Sequence, residues 1–376
     1  MSISILEIRN ADRVTVGIID TAKSVIWHSR YYGTGDFEIY MQATANAVEL
    51  LQVGNYVTRP NNDEIGIIEA ITFNFSIQDG YMITAVGRFA KSILDRRIIY
   101  KLSETVNTPT IISGNVEIAV RRLVLDNAID CTDTRRNISI LGLAALNNLT
   151  PVIVDENGNP SQKQVSYDNL LEYTEKVLQE YGLSAKVILN DSNKKLLYSV
   201  FAGTDRSTDN TDNNEPIVFS VDYDNLNSSN YEYDETPLKN SALIGGQGQD
   251  LDRFYTLLTS GKTGLQLREI FVDASSINRK YKTAGSEEEQ TYTNAEYRAL
   301  LNQKAQQKFK ETIIKETFTG DINVSFGVWQ FNRDYFLGDI VTVQDNKINK
   351  YINTRITEAT EVQDENGYTV DVVFGE

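Results

Sequence analysis

The 376-residue chain has one cysteine, Cys131, and one histidine, His28. A lone cysteine excludes an internal disulfide framework, and folding in a reducing cytoplasm is expected. The same shortage excludes zinc sites built from Cys and His clusters. Basic residues are also scarce: 36 Lys and Arg against 52 Asp and Glu leave a net charge of −16. Such a chain repels nucleic-acid phosphate, so no sequence-specific nucleic-acid binding is expected. The charge serves solubility, or else lines an acidic channel past which DNA slides without sticking. No apolar run approaches the ~20 residues needed to cross a bilayer. The opening MSISILEIRNADR lacks the basic and apolar parts of a signal peptide. A soluble chain is expected.

Only six prolines accompany 20 tyrosines and 14 phenylalanines, a composition that suits β-sheet more than linker or disorder. The length predicts two to four domains. Residues 1–100 read as strands broken by Gly, Asn and Asp, among them FEIYMQA, IGIIEAITFNFSI and YMITAVGRF. Their spacing predicts a small barrel or sandwich. From 101 to 215 the pattern becomes α+β. A helix is expected over 115–130, with Val116, Ala119, Val120, Leu123 and Val124 on one face and Ser113 or Asn115 as cap. A second is expected over 168–181, with Gly182 at the left-handed C′ position. Strand-like residues 185–201 follow, and then 203–215 read as an exposed polar loop. Strands resume over 216–376, interrupted by a second exposed loop at 281–292 and a helix at about 294–313. Thr293 and Glu296 form a capping box for this helix, and Tyr297, Leu301, Ala305 and Phe309 repeat at i+4.

The two ends of the chain resemble each other. Thr34–Ile39 (TGDFEI) matches Thr319–Val324 (TGDINV), and Val53–Thr58 (VGNYVT) matches Leu337–Thr342 (LGDIVT). Next, Ile67–Thr72 (IIEAIT) matches Arg355–Thr360 (RITEAT), and Gly80–Gly87 matches Gly367–Gly375. Gly-Asp and Gly-Asn permit the positive φ of tight turns. Four matches in one order predict a duplicated β module with α+β material inserted between the copies. Three such chains in a closed ring present six similar modules, which lets a threefold object dock on a sixfold one.

The string Trp27–Tyr32 (WHSRYY) followed by Gly35–Tyr40 (GDFEIY) resembles the opening of phage tail hub proteins. These are siphophage baseplate hub and tail-associated proteins, related in fold to the central baseplate hub of contractile phages. The likeness continues through Val53–Thr58, Gly66–Glu69, Gly87–Ile99, Asn240–Gly248 with Arg253, Leu337–Val341 and Phe374-Gly375. It spans nearly the whole chain, and the order of the motifs carries it. The resemblance implies a β-rich α+β multidomain protein: two related small β-barrel, tail-tube-like domains with inserted α+β lobes. The first barrel would occupy 1–100, a peripheral lobe 101–215, and the second barrel 216–376 with an inserted segment and the long helix. It also implies a homotrimeric hub in the virion tail, assembled in the host cytoplasm and lining the DNA channel. Its partners would be the tail tube or distal tail ring, the tape measure protein, and the tip or receptor-binding proteins. Relatives that carry a C-terminal peptidoglycan-degrading domain extend beyond the second barrel, where this chain is expected to end.

No catalytic, cofactor-binding or metal-binding residue is expected. His28 follows Trp27 in an apolar strand and reads as packed structure, and Cys131 has no thiol-protease signature. Ser260–Gly264 (SGKTG) contains GKT, but Thr256 stands where a phosphate loop needs glycine, and the segment reads as a hairpin turn. Gly245–Gly248 (GGQG) is too short for a dinucleotide fingerprint. The acidic runs 205–215 and 222–235 do not fit the calcium-loop pattern and read as solvated. Arg298, Lys304, Lys308 and Lys310 on the long helix present a solvated face or one for an acidic neighbouring subunit. Two other functions compete with the hub. A cell-wall-degrading hydrolase of the tail tip predicts a deep pocket with paired carboxylates. A carbohydrate-binding adhesin module predicts a groove lined with exposed aromatics.

Overall fold

The computed structural model describes residues 5–60, 62–103, 106–155, 158–282, 288–323 and 329–375. The alternating apolar strands of the first hundred residues form β1 (Leu6–Arg9), β2 (Thr15–Ile19), β3 (Ser24–Arg30), β4 (Asp36–Gln42), β5 (Tyr56–Thr58), β6 (Gly66–Ser76) and β7 (Gly80–Phe89). Strands β3 and β4 alternate buried and part-exposed residues along their length, which sets one face on the core. A short helix α1 (Ala45–Leu50), capped by Thr44, links β4 to β5.

The middle segment folds as α2 (Val116–Val124), β8 (Leu141–Leu143), α3 (Leu170–Glu180), β9 (Ser184–Asn190) and β10 (Lys195–Phe201). Asn115, not Ser113, caps α2, and the five residues expected on its inner face are all buried. Helix α2 runs into a π-turn at Leu125–Ile129. Asn169 caps α3, and Gly182 takes the left-handed C′ conformation at φ +66°. The strand-like residues form a hairpin over 184–201, turning at Asp191–Lys194.

The rest of the chain forms β11 (Val218–Ser220), β12 (Asn230–Asp234), β13 (Ser241–Gly245), β14 (Tyr255–Thr259), β15 (Glu269–Asp273), α4 (Asn294–Glu311), β16 (Lys315–Ile322), β17 (Ile340–Asp345), β18 (Lys350–Asp364) and β19 (Gly367–Gly375). Helix α4 carries the expected capping box. Its Tyr297, Leu301 and Ala305 stripe is buried with Ala242, Ile244 and Val272 of the β13–β15 sheet. Residues 281–292 are not simply an exposed loop, because Lys280–Lys282 pair with Glu289–Thr291; residues 283–287 of that expectation lie outside the described residues.

The duplication is visible as topology. The first copy pairs its strands in the order β3-β4-β7-β6-β5-β1, and the second in the order β12-β16-β19-β18-β17-β11. Gly54 and Gly338 share a φ of +92° and end equivalent turns. The Gly54 N–H donates to Ile68 O at 2.8 Å, and the Gly338 N–H donates to Ile356 O at 2.9 Å. Both isoleucines precede a β-bulge, at Ile68/Ala70 and at Ile356/Glu358. One sequence match, however, is not a positional one. Phe37 lies opposite Gly87 and Phe318 opposite Phe374. Because Ile68 faces Gly87 as Ile356 faces Phe374, the counterpart of Phe37 is Phe318, not Ile322. The counterpart of Gly87 is likewise Phe374, not Gly375. Val324 of the same match lies outside the described residues.

Among the described residues neither copy closes into a barrel, which corrects the barrel expectation. Closure needs the last strand to pair with the first. Here β3 gives its outer side to β18 of the other copy, and the two copies fuse into one open sheet of thirteen strands. Strands β2 and β12 form its two ends. Separate apolar clusters lie under the first copy, under the second, within the middle lobe, and between α4 and the β13–β15 sheet.

Candidate assembly site

The place where the two copies join shows what kind of contact this module makes. Strand β18 has fifteen residues because it extends past its own hairpin partner and pairs antiparallel with β3, from Glu358 opposite Arg30 to Gln363 opposite Val25. Trp27 of β3 is fully buried and stacks on Phe37 and Phe89. The Arg59 guanidinium lies over its indole, 5.0 Å from the ring centroid. Both terminal nitrogens of Arg59 bond the Glu361 carboxylate, Nη1 at 2.9 Å. This pair is almost completely sequestered, with side chains 5% and 4% exposed. The Tyr368 hydroxyl also donates to Glu361, at 2.5 Å. Burial, followed by the Glu361 charge, pushes that hydroxyl's pKa well up.

At the outer rim of the seam, Arg30 Nη2 donates to His28 Nδ1 at 2.9 Å, which leaves Nε2 to donate to Glu358 at 2.7 Å. Arg30 also holds Asp36 at 2.5 Å. His28 is therefore a cross-strand link between the copies rather than a simply packed side chain. Further along, the Tyr31 N–H donates to Thr357 O at 2.7 Å. The Tyr31 hydroxyl donates to Gly182 O at 2.9 Å and accepts from the Gly203 N–H at 3.2 Å. Burial raises its pKa to about 12, against the opposing pull of Arg355. Tyr31 thus ties the first copy to the middle lobe and, through Gly338 against its ring, to the second copy.

Among the described residues, two strand edges of the same kind have no strand beside them. Beyond Ile67, where β5 ends its pairing, residues 70–76 of β6 pair only with β7. Strand β12 pairs, among the described residues, only with β16. Open edges are templates for another chain. Around them Phe73 and Phe75 are 48% and 62% exposed, and Tyr233 is 50% exposed. The outer face of the β13–β15 sheet is also apolar and exposed, with Leu243 beside Leu257 and Phe271.

The residues weighed for chemistry are scattered. Cys131 is buried near Asn137, away from the His28 cluster, and burial pushes its thiol pKa up. Ser260–Gly264 is not a hairpin turn. It belongs to a crossover, because β14 and β15 flank β13 on opposite sides and do not pair with each other. Gly245 makes room for Arg253 and Gly246 for Tyr297 and Leu301, and the Arg253 guanidinium donates to both glycine carbonyls and to Asp273. That explains the glycine-rich strand end with its following arginine.

Residues 203–215 are docked rather than freely solvated. Arg206 and the Thr204 N–H both bond Asp339, and Ser207 is buried. On α4, Lys308 pairs with Glu311 at 2.7 Å and Lys310 donates to Glu180 O at 3.0 Å, so part of its basic face serves the chain itself. The cleft beside α4 includes Glu180 and Glu311, both engaged by lysines. Burial works to raise the Glu311 pKa, but hydrogen bonds from Lys308 and Lys176 outweigh it and hold the carboxyl below the usual range. Such a carboxylate is a poor general acid. The Arg59–Glu361 pair was not found from sequence. Its members lie 302 residues apart, and the β3–β18 pairing brings them together.

This fold is shared with solved tail proteins. A tail protein from Neisseria meningitidis MC58 matches with a TM-score of 0.57 at 14% identity, over 99% of this chain and 96% of that one. The 43 kDa tail protein of prophage MuSo2 from Shewanella oneidensis matches at 0.55 and 10%, over 98% of each chain. Prophage tail protein gp18 from Listeria monocytogenes EGD-e matches at 0.50 and 11%, over 99% of this chain and 94% of that one. No curated protein matches the sequence. The family described as Siphovirus ReqiPepy6 Gp37-like protein matches residues 5–376, and the chain belongs to that family.

Proposed function

We propose that the protein is a structural subunit of a siphovirus tail, a homotrimeric hub that acts by assembly and not by turnover. The observation that carries this reading is the repeat. Two copies of one module, joined edge to edge, give a trimer six similar units around an axis. That arrangement matches a sixfold tail tube or distal tail ring on one side and a threefold tip on the other. The modules at 1–100 and 216–376 would surround the DNA channel, with the 101–215 lobe outside. The net charge of −16 favours passage of DNA without adhesion. The tape measure protein and the tip or receptor-binding proteins would be its other neighbours in the virion.

Native mass measurement and negative-stain images of the purified protein test this. Trimers forming rings with a central hole are expected. A strict monomer at high concentration would overturn the reading.

A further inference from the structure

The internal seam is a worked example of how one module docks on the next, and the two open edges are the parts of that seam that remain unused. Ladder registers identify the counterparts. Strand β6 corresponds to β18 through their bulges, so Ala70 and Thr72 correspond to Glu358 and Thr360. Strand β3 corresponds to β12, because Trp27 opposes Phe37 as Tyr231 opposes Phe318. Both aromatic pairs are in ring contact. His28 therefore corresponds to Glu232.

We infer that β12 of one chain pairs antiparallel with residues 70–75 of β6 in a second copy of this chain, in the register of the internal β3–β18 seam. This rests on the ring reading above and specifies its contact. Ala70 then lies opposite Asp234, Thr72 opposite Glu232, and Phe73 opposite Tyr231. Inside the chain, Arg59 reaches across Trp27 to Glu361. Counting from Gly54 and Gly338, the counterpart of Arg59 is Val343, and the counterpart of Glu361 is Phe73. Both members of the buried ion pair are thus replaced by apolar residues. An unpaired charge left by replacing only one would be costly; the paired replacement is what a second seam of this geometry needs. It also accounts for an exposed Phe73 beside an open edge.

Cysteine cross-linking tests the register. Tyr31 and Thr357 are a hydrogen-bonded pair, so alternation makes His28 and Thr360 a non-hydrogen-bonded pair, whose side chains approach most closely. Thr72→Cys with Glu232→Cys occupies the equivalent positions, both exposed. Mild oxidation should convert this variant almost entirely to covalent dimers and trimers on non-reducing gels. Asn74→Cys with Glu232→Cys, a diagonal pair ~7–8 Å apart, should stay at the monomer band. So should wild type, whose one cysteine is buried. Mixing the two single variants should stop at dimers. If wild type assembles but Thr72→Cys/Glu232→Cys does not cross-link, the edge pairing is wrong and the hub reading stands. A monomeric wild type removes both.

Discussion

Removing the charge of Glu361 isolates what holds the two copies together. In Glu361→Gln the side chain keeps its shape, but the Arg59 guanidinium, 5% exposed, loses its counter-ion while still enclosed against Trp27. Breaking one side of a buried ion pair costs ~3–5 kcal/mol. The amide can still accept from Arg59 and from Tyr368, so the lower end, about 3 kcal/mol, is expected. Replacing both partners tells the two contributions apart. Arg59→Met with Glu361→Met leaves no buried charge and fills a similar volume, so its cost should fall to within ~1 kcal/mol of wild type. The counterpart positions are already apolar: Val343 of the second copy stands for Arg59, and Phe73 of the first copy stands for Glu361. Urea unfolding followed by tryptophan fluorescence reports the seam, because Trp27 is one of only two tryptophans and sits under Arg59. All variants need one protein concentration, since association shifts apparent stability. If the double variant is as destabilised as the single one, the seam is held by the pair itself and not by avoidance of a lone buried charge.

Gly54→Ala and Gly338→Ala should differ although their φ angles agree. The first meets only backbone strain of ~1–3 kcal/mol, because nothing lies within 4 Å of an added Cβ. The second adds overlap with the Tyr31 ring, a further ~1–3 kcal/mol, and thermal unfolding should rank it clearly lower. Glu64 gives a pH effect. Burial, opposed by Lys91, Lys186 and Arg59, raises its pKa from 4.5 to about 7. Between those values the folded state holds a proton that the unfolded state releases, so stability falls as pH rises through that window. Glu64→Gln should flatten this slope; an unchanged slope in melting temperature would refute it. Assembly should strengthen with salt, because copies of charge −16 repel and the proposed register sets Glu232 and Asp234 against the uncharged Thr72 and Ala70, with no opposite charges paired. Sedimentation that shifts to smaller species as salt rises would point instead to a charge-paired interface.

Local order was legible in the sequence, and the wiring between copies was not. Helices α2 and α4 followed from periodicity and from the caps Asn115 and Thr293, which each accept from a backbone N–H in the first turn; α3 followed from periodicity and Gly182, and its cap Asn169 is added by the structure. The VGNYVT and LGDIVT strings identified true counterparts because the turn chemistry is the shared element. The TGD strings misled for the same reason: Gly-Asp suits many turns, and pairing partners, not strings, decide register. The barrel expectation failed because whether a sheet closes depends on what lies beside its edge strands. Strand β3 finds β18 more than 300 residues away, and no local pattern encodes that choice. The site followed the same rule. His28 reads as an ordinary strand histidine until Glu358 is placed beside it.

The two copies share backbone devices and differ in the side chains at their edges, and the difference has a direction. A seam within one chain forms once, during folding, and a buried ion pair such as Arg59–Glu361 meets its partner at fixed local concentration. A seam between chains exposes both its faces before assembly. There a buried charge would have to be desolvated at every encounter, whereas Phe73 loses only unfavourable contact with water. Exposed aromatics on an open edge invite wrong partners, and a strong net negative charge opposes indiscriminate contact between copies. On this view the acidity of the chain and the apolar character of its free edge are two halves of one arrangement: long-range repulsion that keeps subunits apart, and a short-range match that only the correct register completes.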